Sequence, residues 1–169
     1  MSRIAPDTQS DWERHLSAIL PLYGHRNWIV VADSAYPAQS RPGIETIVAD
    51  AVQTVCVQKV LDAITASRHV RANVYVDAEL GFVEENDAPG IAEYRRQLDA
   101  ALYGFHVNRV PHEQIIHKLD QAAQFFRILI VKTEMTIPYT SVFFELDCDY
   151  WDAGAEERLR QAMAVAQTK

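Results

Sequence analysis

Residues 20–37 read LPLYGHRNWIVVADSAYP. Ile29, Val30 and Val31 form a continuous β-branched run, the pattern of a strand buried on both faces. Gly24 punctuates the chain just before this run and Pro37 stops it just after. A strand covered on both sides belongs to a sheet sandwiched by helices. His25 and Asp33 bracket it. An imidazole can move protons near neutral pH, and a carboxylate can orient it or accept a hydroxyl hydrogen bond.

The rest of the chain fits around that strand. On the N-terminal side, Asp11–Leu20 carries Trp12, Leu16, Ile19 and Leu20 near the helical period, with Ser10 or Asp11 as the cap. On the C-terminal side, Gly43–Val48 is short and β-branched, a second strand. Ala51–Ala66 has an apolar helical face of Val52, Val55, Cys56, Val60 and Ile64. Asn73–Asp77 (NVYVD) reads as a strand, the acidic stretch Glu79–Gly90 as a loop, and Ile91–Leu102 as a helix. His106–Val110 is a short strand, and Pro111–Phe126 a helix opening on proline. Arg127–Lys132 contains ILIV, the strongest buried-strand signal in the chain; Val142–Leu146 is a further strand and Glu156–Ala166 a polar C-terminal helix. Strands alternating with amphipathic helices predict a single three-layer α/β domain. Its sheet is mainly parallel with helices on both faces, and ligands are expected in crevices at strand ends.

Composition narrows the function. The chain has 169 residues, enough for one domain with a sizeable core, and a formal net charge of −7. That acidity argues against a nucleic-acid partner, which needs clustered Lys and Arg. No apolar run reaches the roughly twenty residues needed to span a bilayer, so no membrane partner is expected. The opening MSRIAPDTQSDWERHL holds three acidic residues and lacks a signal-peptide core. Cys56 and Cys148 lack CxxC spacing, and reduced thiols in a cytoplasmic protein are the expectation.

Neither GxGxxG nor GxxxxGK[ST] is present, so no dinucleotide or P-loop cofactor is expected. HExxH is absent too: His112-Glu113-Gln114 begins like it, but Ile116 stands where the second histidine would be. No metal is expected. His112 lies on the face of Ile115, Leu119, Ala122 and Phe126, at a helix N-terminus whose dipole favours a neutral ring able to act as base or hydrogen-bond partner. His117 falls on another face. The stretch Lys132–Ser141 (KTEMTIPYTS) is rich in hydroxyls. Its threonines read as turn-satisfying groups, whereas Tyr139 offers a stacking face and a donor. Asp77 and Glu79 could accept hydroxyls but read as a solvated strand end. Tyr150-Trp151 could pack an interface or cover the sheet edge.

Together these pieces resemble the D-ribose pyranase and L-fucose mutarotase family. The likeness starts at Gly24-His25, keeps the eight-residue step to Asp33, and includes Pro37. The run Asp33-Ser34-Ala35-Tyr36-Pro37-Ala38-Gln39-Ser40 is similar to the fucose mutarotase version, and His112-Glu113-Gln114 to the ribose pyranase version. The ILIV strand with Thr133-Glu134 and Pro138-Tyr139 resembles the C-terminal motif. The likeness covers about residues 12–147; the acidic loop Glu84–Pro89 and the extension 148–169 look foreign to short family members.

The resemblance implies a D-ribose pyranase-like fold and a metal- and cofactor-independent isomerase. Such an enzyme interconverts anomers or ring forms of a monosaccharide. It implies His25 as the catalytic histidine with Asp33 as acidic partner, and His112, Tyr139 and Ser141 as substrate contacts. Ser141 stands where the family usually has asparagine, and a hydroxyl lacks the amide's paired donor and acceptor. Ring-shaped homo-oligomers with sites between subunits are also implied. Two alternatives stand beside it: a non-catalytic monosaccharide-binding or sensor protein, and an enzyme acting on an acidic or larger sugar derivative.

Overall fold

The computed structural model describes residues 9–167. Helix α1 (Asp11–Ile19) opens where Ser10 donates its backbone N–H to the Glu13 carboxylate at 2.9 Å. A short 3-10 turn, Leu20–Leu22, leads to strand β1 (Trp28–Ala32), and all five of its residues are buried. There follow β2 (Ile44–Val48), α2 (Gln53–Ala66), β3 (Val70–Asp77), α3 (Ile91–Ala101) and β4 (Val107–Val110). The chain ends with α4 (His112–Ala122), β5 (Ile128–Lys132), β6 (Val142–Cys148) and α5 (Ala153–Gln167).

The six strands form one sheet in the order β2-β5-β1-β6-β3-β4. The β2–β5, β5–β1 and β3–β4 pairs are parallel, whereas β6 runs antiparallel to both β1 and β3. The expected mainly parallel sheet is present with one reversed strand at its centre. That reversal follows from connection length: the nine residues between β5, ending at Lys132, and β6, starting at Val142, contain no crossover helix.

Alternate residues of β1 feed two cores. Ile29 and Val31 join the larger one with α1, α2 and α3, through Trp12, Leu16, Val57, Leu61, Ile91 and Leu98. Trp28, Val30 and Ala32 face α4, meeting Ile115, Leu119 and Ala123. This is the three-layer arrangement the strand pattern implies. Several expected boundaries move: β3 starts three residues early, at Val70, and α5 three residues early, at Ala153, while α4 starts at His112 with Pro111 at its cap and ends at Ala122, four residues early. The acidic loop begins with a 3-10 turn, Ala78–Gly81. Among the described residues no helix is long and apolar enough to cross a membrane. Helix α5 buries none of its residues.

The sheet has two chemically distinct edges. β1 to β5 all point the same way, so Ala32, Asp77, Val110 and Lys132 end at one edge, where the antiparallel β6 begins. Val142 pairs with Val31 on one side and Val76 on the other, which sets Asp33 and Asp77 on either flank of the Thr140-Ser141 dipeptide.

Candidate active site

At the carboxyl edge a crevice of about 350 Å³ is lined by Asp33, Tyr36, Pro37, His112, Glu113 and Tyr139, among others. Its size lies within the range of small-ligand clefts. Asp33 follows β1 and is held from behind. The Ser141 hydroxyl donates to its Oδ1 at 2.9 Å, and the Asp33 backbone N–H donates back to Ser141 Oγ at 3.2 Å. Ser141 is buried, so its hydroxyl serves Asp33, and the residue stands behind the crevice wall.

Tyr139 and His112 line the same crevice. Tyr139 has a left-handed backbone, φ 59°, which costs a bulky residue on the order of 1–3 kcal/mol. Its ring meets His112 edge-on at a centroid distance of 5.7 Å. His112 is tied twice to the end of β3. Its backbone N–H donates to both Glu79 carboxylate oxygens, at 3.1 and 3.0 Å, giving α4 the anionic cap that Pro111 cannot supply. Its Nδ1 lies 3.0 Å from Asp77 Oδ1.

Asp77 is therefore not the solvated strand end that its position suggested: it is 1% exposed. Burial pushes its carboxyl up to about 6, against the opposing pull of the hydrogen bond from His112. Among the described residues its Oδ2 and the Tyr36 hydroxyl, both buried, find no hydrogen-bond partner. Sequence reading could not find this pairing, because 35 residues separate Asp77 from His112.

The base of the crevice is stapled by Gln53. This buried amide donates to Val31 O at 3.1 Å and Thr140 O at 2.8 Å, and accepts from the Thr133 hydroxyl. Tyr94 adds a bond to Thr140 O at 2.5 Å. The threonines at 133 and 140 thus satisfy backbone and one another's neighbours, as expected for turn residues.

His25 sits at the other edge. Five residues of β1 separate it from Asp33, about 16 Å of extended chain, longer than a single sugar ring. Within one chain its acidic neighbour is Asp147, whose Oδ1 lies 3.0 Å from His25 Nδ1. The Arg26 guanidinium donates to His25 Nε2 at 3.1 Å, so Nδ1 carries the proton in the neutral ring. Asp147 lies below the usual carboxylate range. Burial raises it, but hydrogen bonds from Arg71, the Cys148 backbone and His25 together outweigh that effect. A larger concavity of about 720 Å³ opens here, lined in part by His25, Arg71, Asp147, Tyr150 and Trp151. Tyr150 and Trp151 are 77% and 45% exposed.

The structure thus gathers Asp33, His112 and Tyr139 around one crevice, with Ser141 behind it and His25 at the opposite edge. Among the described residues no three His, Cys, Asp or Glu side chains are arranged to hold a metal ion.

Solved structures share this fold. Bacillus subtilis RbsD, determined with D-ribose, superposes with a TM-score of 0.56 at 17% identity, covering 86% of this chain and 98% of that one. The fucose mutarotase of Streptococcus pneumoniae, determined with L-fucose, gives 0.51 at 19% identity, covering 87% and 98%. No curated protein sequence matches this one. Residues 11–147 match the family described as the RbsD / FucU transport protein family, and the chain belongs to that family.

Proposed function

We propose that this chain is a monosaccharide mutarotase or pyranase, interconverting anomers or ring forms by histidine general acid–base catalysis without metal or cofactor. One observation carries the reading: a carboxylate, an imidazole and a phenol from three separate segments converge on one sugar-sized crevice. Family membership supports it, as do the D-ribose and L-fucose bound by two proteins of the same fold. Ring opening removes the proton of the anomeric hydroxyl, forms the carbonyl, breaks the bond from the anomeric carbon to the ring oxygen, and protonates that oxygen. Reclosure from the other face or through another hydroxyl gives the new form. In this reading Asp33 accepts a sugar hydroxyl, Tyr139 packs against the ring, and His25 exchanges a proton with the substrate. Ser141 acts by holding Asp33. Cytoplasmic residence belongs to the same reading, supported by two unpaired cysteines.

Because β1 separates His25 from Asp33, His25 reaches the crevice from a second copy of the chain. Three features of the His25 edge support this. Its side chain is 56% exposed. Exposed aromatics surround it: Tyr150 and Trp151 share its concavity, and Phe125 (83% exposed) packs on Phe126 beneath Arg26. His25 and Arg26 would meet a crevice bearing Asp33 and Glu113. The test mixes His25→Ala with Asp33→Asn subunits, each inactive alone. Recovery in roughly a quarter of sites is expected for a randomly mixed symmetric assembly. A monomer of about 19 kDa by light scattering, or no recovery, would contradict the shared site.

A further inference from the structure

Ring opening moves two protons, one off the anomeric oxygen and one onto the ring oxygen, and these oxygens lie on different sides of the anomeric carbon. His25 supplies one proton-transfer group. We propose that His112 is the other, and that Asp77 is the positioning residue that fixes its tautomer and turns its free nitrogen to the sugar. The inference rests on the mutarotase reading and extends it to a residue pair contained within one chain.

The geometry is that of a carboxylate–imidazole pair. Asp77 Oδ1 lies 3.0 Å from His112 Nδ1, and the carboxylate is 1% exposed, so it meets no solvent and can act only through the ring. Accepting from Nδ1–H leaves Nε2 as the basic nitrogen. The side chain is 32% exposed and lines the same crevice as Asp33. The ring cannot readily swing away: Glu79 clamps its backbone N–H, and Tyr139 packs edge-on with it from the loop before β6. Among the described residues no donor reaches the other carboxylate oxygen, Asp77 Oδ2.

The groups around His112 are Asp77 and Glu79 from the end of β3, Asp33 from β1, Tyr36 and Tyr139 from flanking loops, and Glu113 on its own helix. All the ionisable ones are acids. The balance closes: Nε2 takes the anomeric proton, the carbonyl forms as the ring bond breaks, and His25 delivers a proton to the ring oxygen. Both histidines are reset when the ring recloses.

The test uses the full-length protein and long-range 1H–15N NMR of the histidine rings, with His112 assigned by loss of its signals in His112→Gln. At pH 7.5 the expected wild-type pattern is Nδ1 protonated and Nε2 unprotonated. In Asp77→Asn the fixed tautomer is lost, and maximal sugar exchange falls at least about tenfold with KM changed less than about threefold. An Nε2–H tautomer in the wild type, or wild-type exchange in Asp77→Asn, overturns the proposal. Should Asp77→Asn fail to fold, the wild-type tautomer alone decides. Should no monosaccharide exchange at all, the mutarotase reading fails, while the tautomer still reports whether Asp77 positions His112.

Discussion

The buried Asp77 carboxylate should cost the protein stability at neutral pH, and replacing it should reveal by how much. Its native value of about 6 stands above the unfolded value of 3.8 because burial disfavours the charged form. The native state therefore holds this proton more tightly than the unfolded state between those two values, and the slope is negative: stability falls as pH rises from about 4 to about 6. Two pH units at about 1.4 kcal/mol each bound the effect at roughly 3 kcal/mol, and the part lost between pH 4 and 7 is about 2 kcal/mol. Asp77→Asn removes the titration. Its amide has its own cost in the same slot, but that cost does not vary with pH. The quantity to measure is the change in unfolding free energy between pH 4 and 7, from urea titrations of both proteins. Wild type should lose about 2 kcal/mol more than the variant over this interval. His112 faces the same carboxylate, so the midpoint belongs to the pair, whereas the difference between the proteins reports the removal of Asp77. Parallel pH profiles for the two proteins would refute a strained, buried Asp77.

Other consequences follow from the same geometry. Gln53→Leu strips the staple under the crevice, removing the amide's bonds to Val31 O, Thr140 O and the Thr133 hydroxyl; a loss of about 2–4 kcal/mol in urea unfolding is expected. A loss below about 0.5 kcal/mol would show that the staple is dispensable. Ser141→Asn puts a bulkier amide into the buried slot from which the hydroxyl holds Asp33, and exchange of D-ribose or L-fucose should fall at least about threefold. Unchanged rates on both sugars would mean that Asp33 does not need the serine hydroxyl.

How much of this could be read from the sequence depends on range. The β-branched runs at 29–31 and 128–131 fix the buried centre of the sheet, because residues covered on both faces must all be apolar. The Ile115–Leu119 stripe likewise fixes the inward face of α4. Strand direction was less accessible: β6 carries the same apolar signal in either orientation, and its reversal depends on the short link from β5. His25 and Asp33 are close in sequence, yet an extended strand drives its ends apart. Conversely, Asp147 is 122 residues from His25, and Asp77 is 35 residues from His112. Such carboxylates leave no periodic trace, and a strand-end acid looks the same whether it meets water or a buried imidazole. The β6–β3 register makes the difference, and it exists only in the folded sheet.

Ring-form exchange is most directly observed by saturation-transfer NMR on a panel of monosaccharides, with catalytic amounts of wild-type protein and of His25→Ala. Irradiating one anomer or ring form should transfer saturation to another when the wild type is present. His25→Ala should slow this by about 10²–10⁴-fold while retaining the wild-type circular dichroism. Sugars that bind, seen as ligand line broadening, yet show no transfer above the uncatalysed rate would contradict catalysis and identify the chain as a monosaccharide-binding protein.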